Sequence, residues 1–200
     1  MTMNDIFSQN IIQLTDRYAL PVVLLTALAL LLVGIILYLN RSKVKHHWLN
    51  LKTRYCLNRL GFKHITNFQC PDGLGHHFTI DRLILRHDGI TLLVYKRYPG
   101  KIFCADKIDD WTQMIGQRSF RFKNPIYDLD NQIKAVSACV PNVPVNGFLF
   151  FDHLTEFPRG HPERIIYLKN IPEELKRNKL DKVQKSVMSA WKKLLLMAKG

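Results

Sequence analysis

The chain has no CxxC pair. Its four cysteines, Cys56, Cys70, Cys104 and Cys139, are widely spaced, which argues against a zinc site and fits a reducing compartment. It has no Gly-rich phosphate loop and no internal repeat, so nothing in it resembles a nucleotide cradle or a solenoid. Acid is scarce. Only 16 Asp and Glu stand against 29 Lys and Arg, a formal net charge of +13. A surplus of that size points to a polyanion partner, either nucleic acid or an anionic lipid face.

What the chain does have is one long uncharged run. Residues 19–39, "ALPVVLLTALALLLVGIILYL", carry no charged side chain and are long enough to cross a bilayer as a helix. The segment before them is not basic and no small-residue cleavage site follows, which disfavours a cleaved signal peptide. Tyr18 and Tyr38 fall near the two interfaces, and Pro21 is expected in the first turn of the span. The leading flank carries Asp5, Asp16 and Arg17, whereas the trailing flank carries Arg41, Lys43, Lys45, Lys52 and Arg54. The positive-inside rule then puts the N-terminus outside and everything after residue 40 in the cytoplasm, as a single-pass protein of a bacterial inner membrane. That later part holds 28 of the 29 Lys and Arg and 14 of the 16 Asp and Glu, a net charge of +14. The expected organisation is an extracytoplasmic 1–18, a membrane helix 19–39, a basic linker 40–47, a globular domain 48–170 and a helical segment 171–200.

Within the domain, "TIDRLILRHDGITLLVYKRYPGKI" (79–102) contains Asp88-Gly89 between two aliphatic runs, the pattern of a two-residue hairpin loop. Counting outward pairs His87 with Ile90, Leu85 with Leu92, Leu83 with Val94 and Asp81 with Lys96, and puts Val94 diagonally beside Asp81. Alternation then gives Asp81, Leu83, Leu85, Leu92, Val94 and Lys96 one shared face, apolar except at one end. An acid and a base at that end read either as a rim salt bridge or as part of a metal-dependent phosphodiesterase site. The second reading calls for another carboxylate, because a single Asp holds Mg²⁺ poorly.

Around the hairpin, a helix is expected over 43–60 with Val44, Trp48, Leu51 and Tyr55 on one side and Gly61 at its end. A strand follows over 62–70, then a turn at Pro71, Asp72 and Gly73. "KIFCAD" and "SFRFKN" read as short strands around a loop holding Trp111, and Pro125 opens a helix to about Cys139. "GFLFF" (147–151) and "RIIYL" (164–168) read as buried strands. Residues 180–198 read as an amphipathic helix with Leu180, Val183, Val187, Trp191, Leu194 and Leu195 on one stripe.

The stretch "HITNFQCPDGLGHHFTIDRLILRHDGITLLVYKRYPGKI", followed by Trp111 and then "FKNPIYDLDNQIKAV", resembles the nuclease-related domain (NERD), a branch of the PD-(D/E)xK restriction-endonuclease-like superfamily. The resemblance covers roughly residues 48–150. It rests on the order of "ID", a turn glycine, "x-K" followed by tyrosine and "G-x-I", a tryptophan, and "NP" ahead of a helix with a Gln. It implies an α/β fold with a restriction-endonuclease-like mixed sheet flanked by helices.

Carried across residue by residue, the resemblance makes Asp81 the metal-binding Asp and Lys96 the catalytic Lys. It also requires a Glu at position 94, which is Val94. The Gly-Glu pair expected in the preceding helix has no acid in "KTRYCLNRLG", and the Gln expected after "NP" falls on Asp128, with Gln132 a turn later. Asp106, Asp109, Asp110 and Asp128 are the acids available to complete a site. The resulting expectation is a membrane-anchored NERD protein that binds nucleic acid through Arg82, Arg97, Lys101, Arg121 and Lys123 with little or no cleavage, Asp81 holding Mg²⁺ weakly or not at all. Two alternatives stay open: an active Mg²⁺-dependent DNA or RNA nuclease, and a non-enzymatic interaction protein tethered to the lipid bilayer.

Overall fold

The computed structural model describes residues 3–71, 77–177 and 182–198, with side chains from residue 21 onward. The chain divides into two compact units, residues 1–51 and 52–200.

The first unit is helical. Helix α1 (Met3–Leu39) starts well before the uncharged run, so Pro21 lies inside it rather than in its first turn. Pro21–Leu39, with a mean hydropathy of 3.0 and no residue buried, is about 28 Å long at 1.5 Å per residue and apolar enough to cross a bilayer. Backbone bonding carries through Asn40, whose N–H donates to Ile36 O (3.0 Å) and whose carbonyl accepts from Val44 N–H (3.0 Å). Helix α2 (Arg41–Asn58) follows at once and runs into the second unit.

The second unit is built on two mixed sheets. Its strands are β1 (Lys63–Pro71), β2 (His77–Leu85), β3 (Ile90–Lys96), β4 (Gly100–Phe103), β5 (Asp110–Ile115) and β6 (Arg118–Lys123). After helix α3 (Pro125–Cys139) come β7 (Val145–Phe151), β8 (Thr155–Glu156), β9 (Ile165–Ile166) and helix α4 (Lys185–Met197). The larger sheet has the order β1-β2-β3-β7-β9 and the smaller β6-β5-β4-β8. In the larger, β1, β2 and β3 are antiparallel and β7 and β9 add in parallel. Strand β3 is central, and its residues Ile90–Val94 are buried on both faces, which is why they read as one apolar run rather than an alternation.

One face of the larger sheet meets α3, α4 and Trp111 through Leu83, Leu85, Leu92, Leu129, Val136, Val187, Trp191 and Leu194. The opposite face, through Ile84, Leu93 and Phe150, is covered by Leu57, Leu60 and Leu175. The segment after residue 171 therefore packs into this unit through Leu175 and α4. The turn after Pro71 and the residues at 178–181, including Leu180, lie outside the described residues.

Two readings need correction. The β2–β3 hairpin has a four-residue loop, Arg86–Gly89, with Leu85 paired to Ile90 and Leu83 to Leu92. Asp88 and Gly89 do not take the positive φ that a two-residue type I′ turn needs. Instead Arg86 N–H donates to Gly89 O (2.9 Å), and Arg86 grips Asp88 with two bonds of 3.1 and 3.0 Å. Gly89 is required by space: a Cβ there would lie 2.5 Å from Pro144 O, the carbonyl that accepts from Ile90 N–H. The slip is two residues, so Leu83, Leu92 and Val94 keep the face expected of them; Ile80 packs in the same core as Leu83, so the alternation of β2 breaks at Asp81. The segment around Trp111 is a strand, not a loop; β5 pairs with β6 across Gly116-Gln117 and seats Trp111 in the core.

Candidate functional site

The site is the end of the β2–β3 hairpin away from its loop. One step beyond the last pair, Arg82 with Leu93, the register sets Asp81 directly against Val94, not Lys96. There the ladder stops, because Tyr95 N–H donates to Asp81 Oδ2 at 2.7 Å instead of to a strand carbonyl. On its other side Asp81 faces Asn67, which drops out of the β1–β2 pairing and takes φ +52°. Asn tolerates this left-handed conformation better than most residues, and the kink leaves Asp81 flanked by interrupted pairing on both sides. Val94, at 8% exposure, belongs to the core.

Lys96 leaves the sheet on the same face, beside β7, and points at α3. Asn124 sets the start of that helix: its side chain accepts from Ile126 N–H (3.0 Å) as an N-cap and donates to Asp106 O (3.1 Å) and Ile108 O (3.0 Å). Gly147 on β7 lets the helix approach, since a Cβ there would lie 2.8 Å from the tips of both Leu129 and Ile133. With Leu129 and Val136 buried, Asp128, Gln132 and Ala135 fall on one exposed-side stripe at helical spacing. They line an open cleft of about 660 Å³ with Lys96, Phe78, Asn131 and Lys134. Gln132 Oε1 is buried there without a hydrogen-bond partner.

This donor set does not fit a divalent cation in the way the superfamily's chemistry needs. The position opposite Asp81 is aliphatic, and Asp81 already accepts a backbone amide. Asp109 accepts from Tyr127 O–H (2.9 Å) and Asp110 pairs with Lys123 (3.0 Å), while Asp106 contributes its carbonyl to the α3 cap. Of the four acids considered from sequence, only Asp128 lines the cleft. Among the described residues no three His, Cys, Asp or Glu side chains converge to hold a metal ion.

The basic residues expected to meet a polyanion separate into different places. Arg82 lies on the sheet face that the end of α2 covers and is only 8% exposed. Its guanidinium donates to Leu57 O (2.8 Å) at the end of α2 and to Asn58 Oδ1 (3.1 Å), so it serves as an internal clamp. Its charge depresses the pKa of His64 after the larger effect of burial. It also offsets part of the burial that raises the Tyr95 phenol, which Asp81 raises further. Arg97 is exposed just past β3. Lys101, Arg121 and Lys123 share one solvated face of the smaller sheet by register. Lys123 is tied to Asp110, whose hydrogen bond and charge raise its pKa, and Lys101 lies opposite Glu156. Sequence reasoning missed Lys134 and Asn131; their spacing on α3 relative to Gln132 and Asp128 was the available signal.

The model of the nuclease-related domain (NERD) family matches residues 44–152. No curated protein and no solved structure matches the chain significantly. The match begins in α2, takes in both hairpins and α3, and ends just after β7, so it contains Asp81, Val94, Lys96 and the cleft: the chain belongs to the nuclease-related domain family, within the restriction-endonuclease-like superfamily.

Proposed function

We propose that this protein is a membrane-anchored NERD protein that holds nucleic acid at the Lys96 cleft by its phosphates and cuts it little or not at all. The observation that carries this reading is Val94, a buried aliphatic residue set against Asp81 where a second carboxylate is needed. Binding needs less. Lys96 and Lys134 line the cleft, and exposed Arg97 together with Lys101 and Arg121 on the smaller sheet offers further cations. Phosphate contact by such residues is independent of sequence and weakens steeply with salt. Helix α1 is the anchor in this reading, with residues after 40 on the cytoplasmic side of a bacterial inner membrane.

The competing reading, a Mg²⁺-dependent nuclease, is favoured by one observation: Asp128 and Gln132, whose buried Oε1 has no hydrogen-bond partner, line the same cleft as Lys96. Charge reversal tests the cleft that both readings share. Lys96→Glu and Lys134→Glu should each weaken binding of duplex and single strands broadly and flatten the salt dependence by about one charge. Binding that is unchanged by both variants would overturn the cleft as the nucleic-acid site.

A further inference from the structure

Helix α2 carries a second apolar stripe that the fold does not use. Val44, Trp48 and Leu51 recur at helical spacing, Tyr55 continues it one turn on, and all four are exposed, at 41%, 68%, 48% and 61%. The buried residues at the far end of this helix, Leu57 and then Leu60 just beyond it, lie on the opposite side, so the stripe is not the face that packs. Cations border it on both sides: Arg41, Lys45 and Lys52 along one edge, Lys43 and Arg54 along the other. No Asp or Glu occurs between Asp16 and Asp72. Its first residue comes two positions after the apolar run of α1 ends at Leu39, and Arg41 sits 5.0 Å over the ring of Tyr38 at that junction.

We infer that the Val44–Trp48–Leu51 stripe of α2 lies in the headgroup region of an anionic bilayer, its rings and aliphatic side chains at the acyl boundary and its bordering cations on lipid phosphates. The inference rests on the reading of α1 as a membrane span, which delivers α2 to that surface. Charge decides the occupant. A second copy of this helix set stripe to stripe would bring Lys43, Lys45, Lys52 and Arg54 against their own counterparts with no acid to answer them, and bulky Trp48 and Tyr55 suit a tight two-stranded seam badly. An anionic surface answers every one of these cations, and Trp and Tyr favour that depth. Long cationic side chains reach outward while their stems cover apolar surface.

Trp48 reports on this directly, because the other two tryptophans, Trp111 and Trp191, are fully buried. The full chain is reconstituted in lipid nanodiscs of phosphatidylcholine, with or without phosphatidylglycerol, using lipids brominated high in the acyl chain. The Trp48 signal is taken as the difference between the native chain and Trp48→Phe. It should be blue-shifted and quenched in the anionic discs and less so in the neutral ones. Lys43→Gln and Lys45→Gln should each lower the docked-to-undocked ratio by about fivefold. Unquenched, water-like Trp48 emission in anionic discs overturns the inference, as does equal quenching in both lipids. Protection that appears only in discs holding two copies overturns it in favour of pairing between chains. Alkaline carbonate extraction tests the span separately: release of the chain would remove the membrane reading of α1, while quenching of Trp48 on added anionic vesicles would still decide the stripe.

Discussion

The carboxylate of Asp81 accepts the backbone N–H of Tyr95 at 2.7 Å, one residue before Lys96. Asp81 therefore closes the hydrogen-bond ladder where β2 and β3 separate. Asp81→Ala should lower stability by about 1–3 kcal/mol by leaving that amide without its partner, and Asp81→Asn, which keeps an acceptor oxygen, should cost less. Urea unfolding without any divalent cation measures both. No loss for Asp81→Ala would mean that the acid has no structural role.

Val94→Glu places a carboxylate directly across from Asp81. It should raise Mg²⁺ affinity, read by calorimetry, and lower stability by about 1–3 kcal/mol because Val94 packs in the core. Unchanged stability would mean that the side chain reaches solvent and that the position is not the buried one described above.

Arg82→Ala should unfold more readily, by about 1–3 kcal/mol, since Leu57 O and Asn58 lose their donor inside the unit. Its nucleic-acid affinity, measured where the variant is folded, should match the native chain. A large loss of affinity with stability intact would assign Arg82 to a ligand instead of to the end of α2.

Burial and the neighbouring Cys139 push the Cys70 thiol up to about 12. A thiol raised in the folded state favours folding fully below its unfolded value near 9, and that contribution is lost as pH climbs from there toward the folded value. Stability should therefore fall between pH 9 and 11, by an amount approaching about 1.4 kcal/mol per pH unit from this group, and the melting temperature should fall with it. Cys70→Ala should flatten the slope even if it lowers the melting temperature throughout.

Much of this was legible in the residues. The uncharged run, the Asn124-Pro125 start of α3 and the shared face of Leu83, Leu92 and Val94 each follow from local rules of hydropathy, capping and alternation. Register was not local. Asp88-Gly89 has the composition of a tight turn, but Gly89 is there because the Pro144 carbonyl, from a distant segment, needs the space a Cβ would fill. The two-residue slip it conceals changes which residue opposes Asp81 while leaving the faces of Leu83, Leu92 and Val94 intact. Trp111, Gln113 and Ile115 alternate ahead of Gly116, a hairpin pattern hidden by the polar residues around it. Arg82 and Lys134 show the further limit. A cation's sequence neighbours do not reveal whether it will clamp a helix end or line a cleft; that depends on which face its element turns to the rest of the chain.

The most direct test incubates the full chain, in lipid nanodiscs, with labelled single- and double-stranded DNA and RNA at two salt concentrations, with and without Mg²⁺, and reads bound and cleaved fractions together. The account predicts binding that falls steeply as salt rises, about as the 0.9 power of salt for each phosphate neutralised on a duplex, with little or no cleavage under any condition. Robust Mg²⁺-dependent cleavage abolished by Asp81→Ala or Lys96→Ala would contradict it, and so would the absence of binding at low salt.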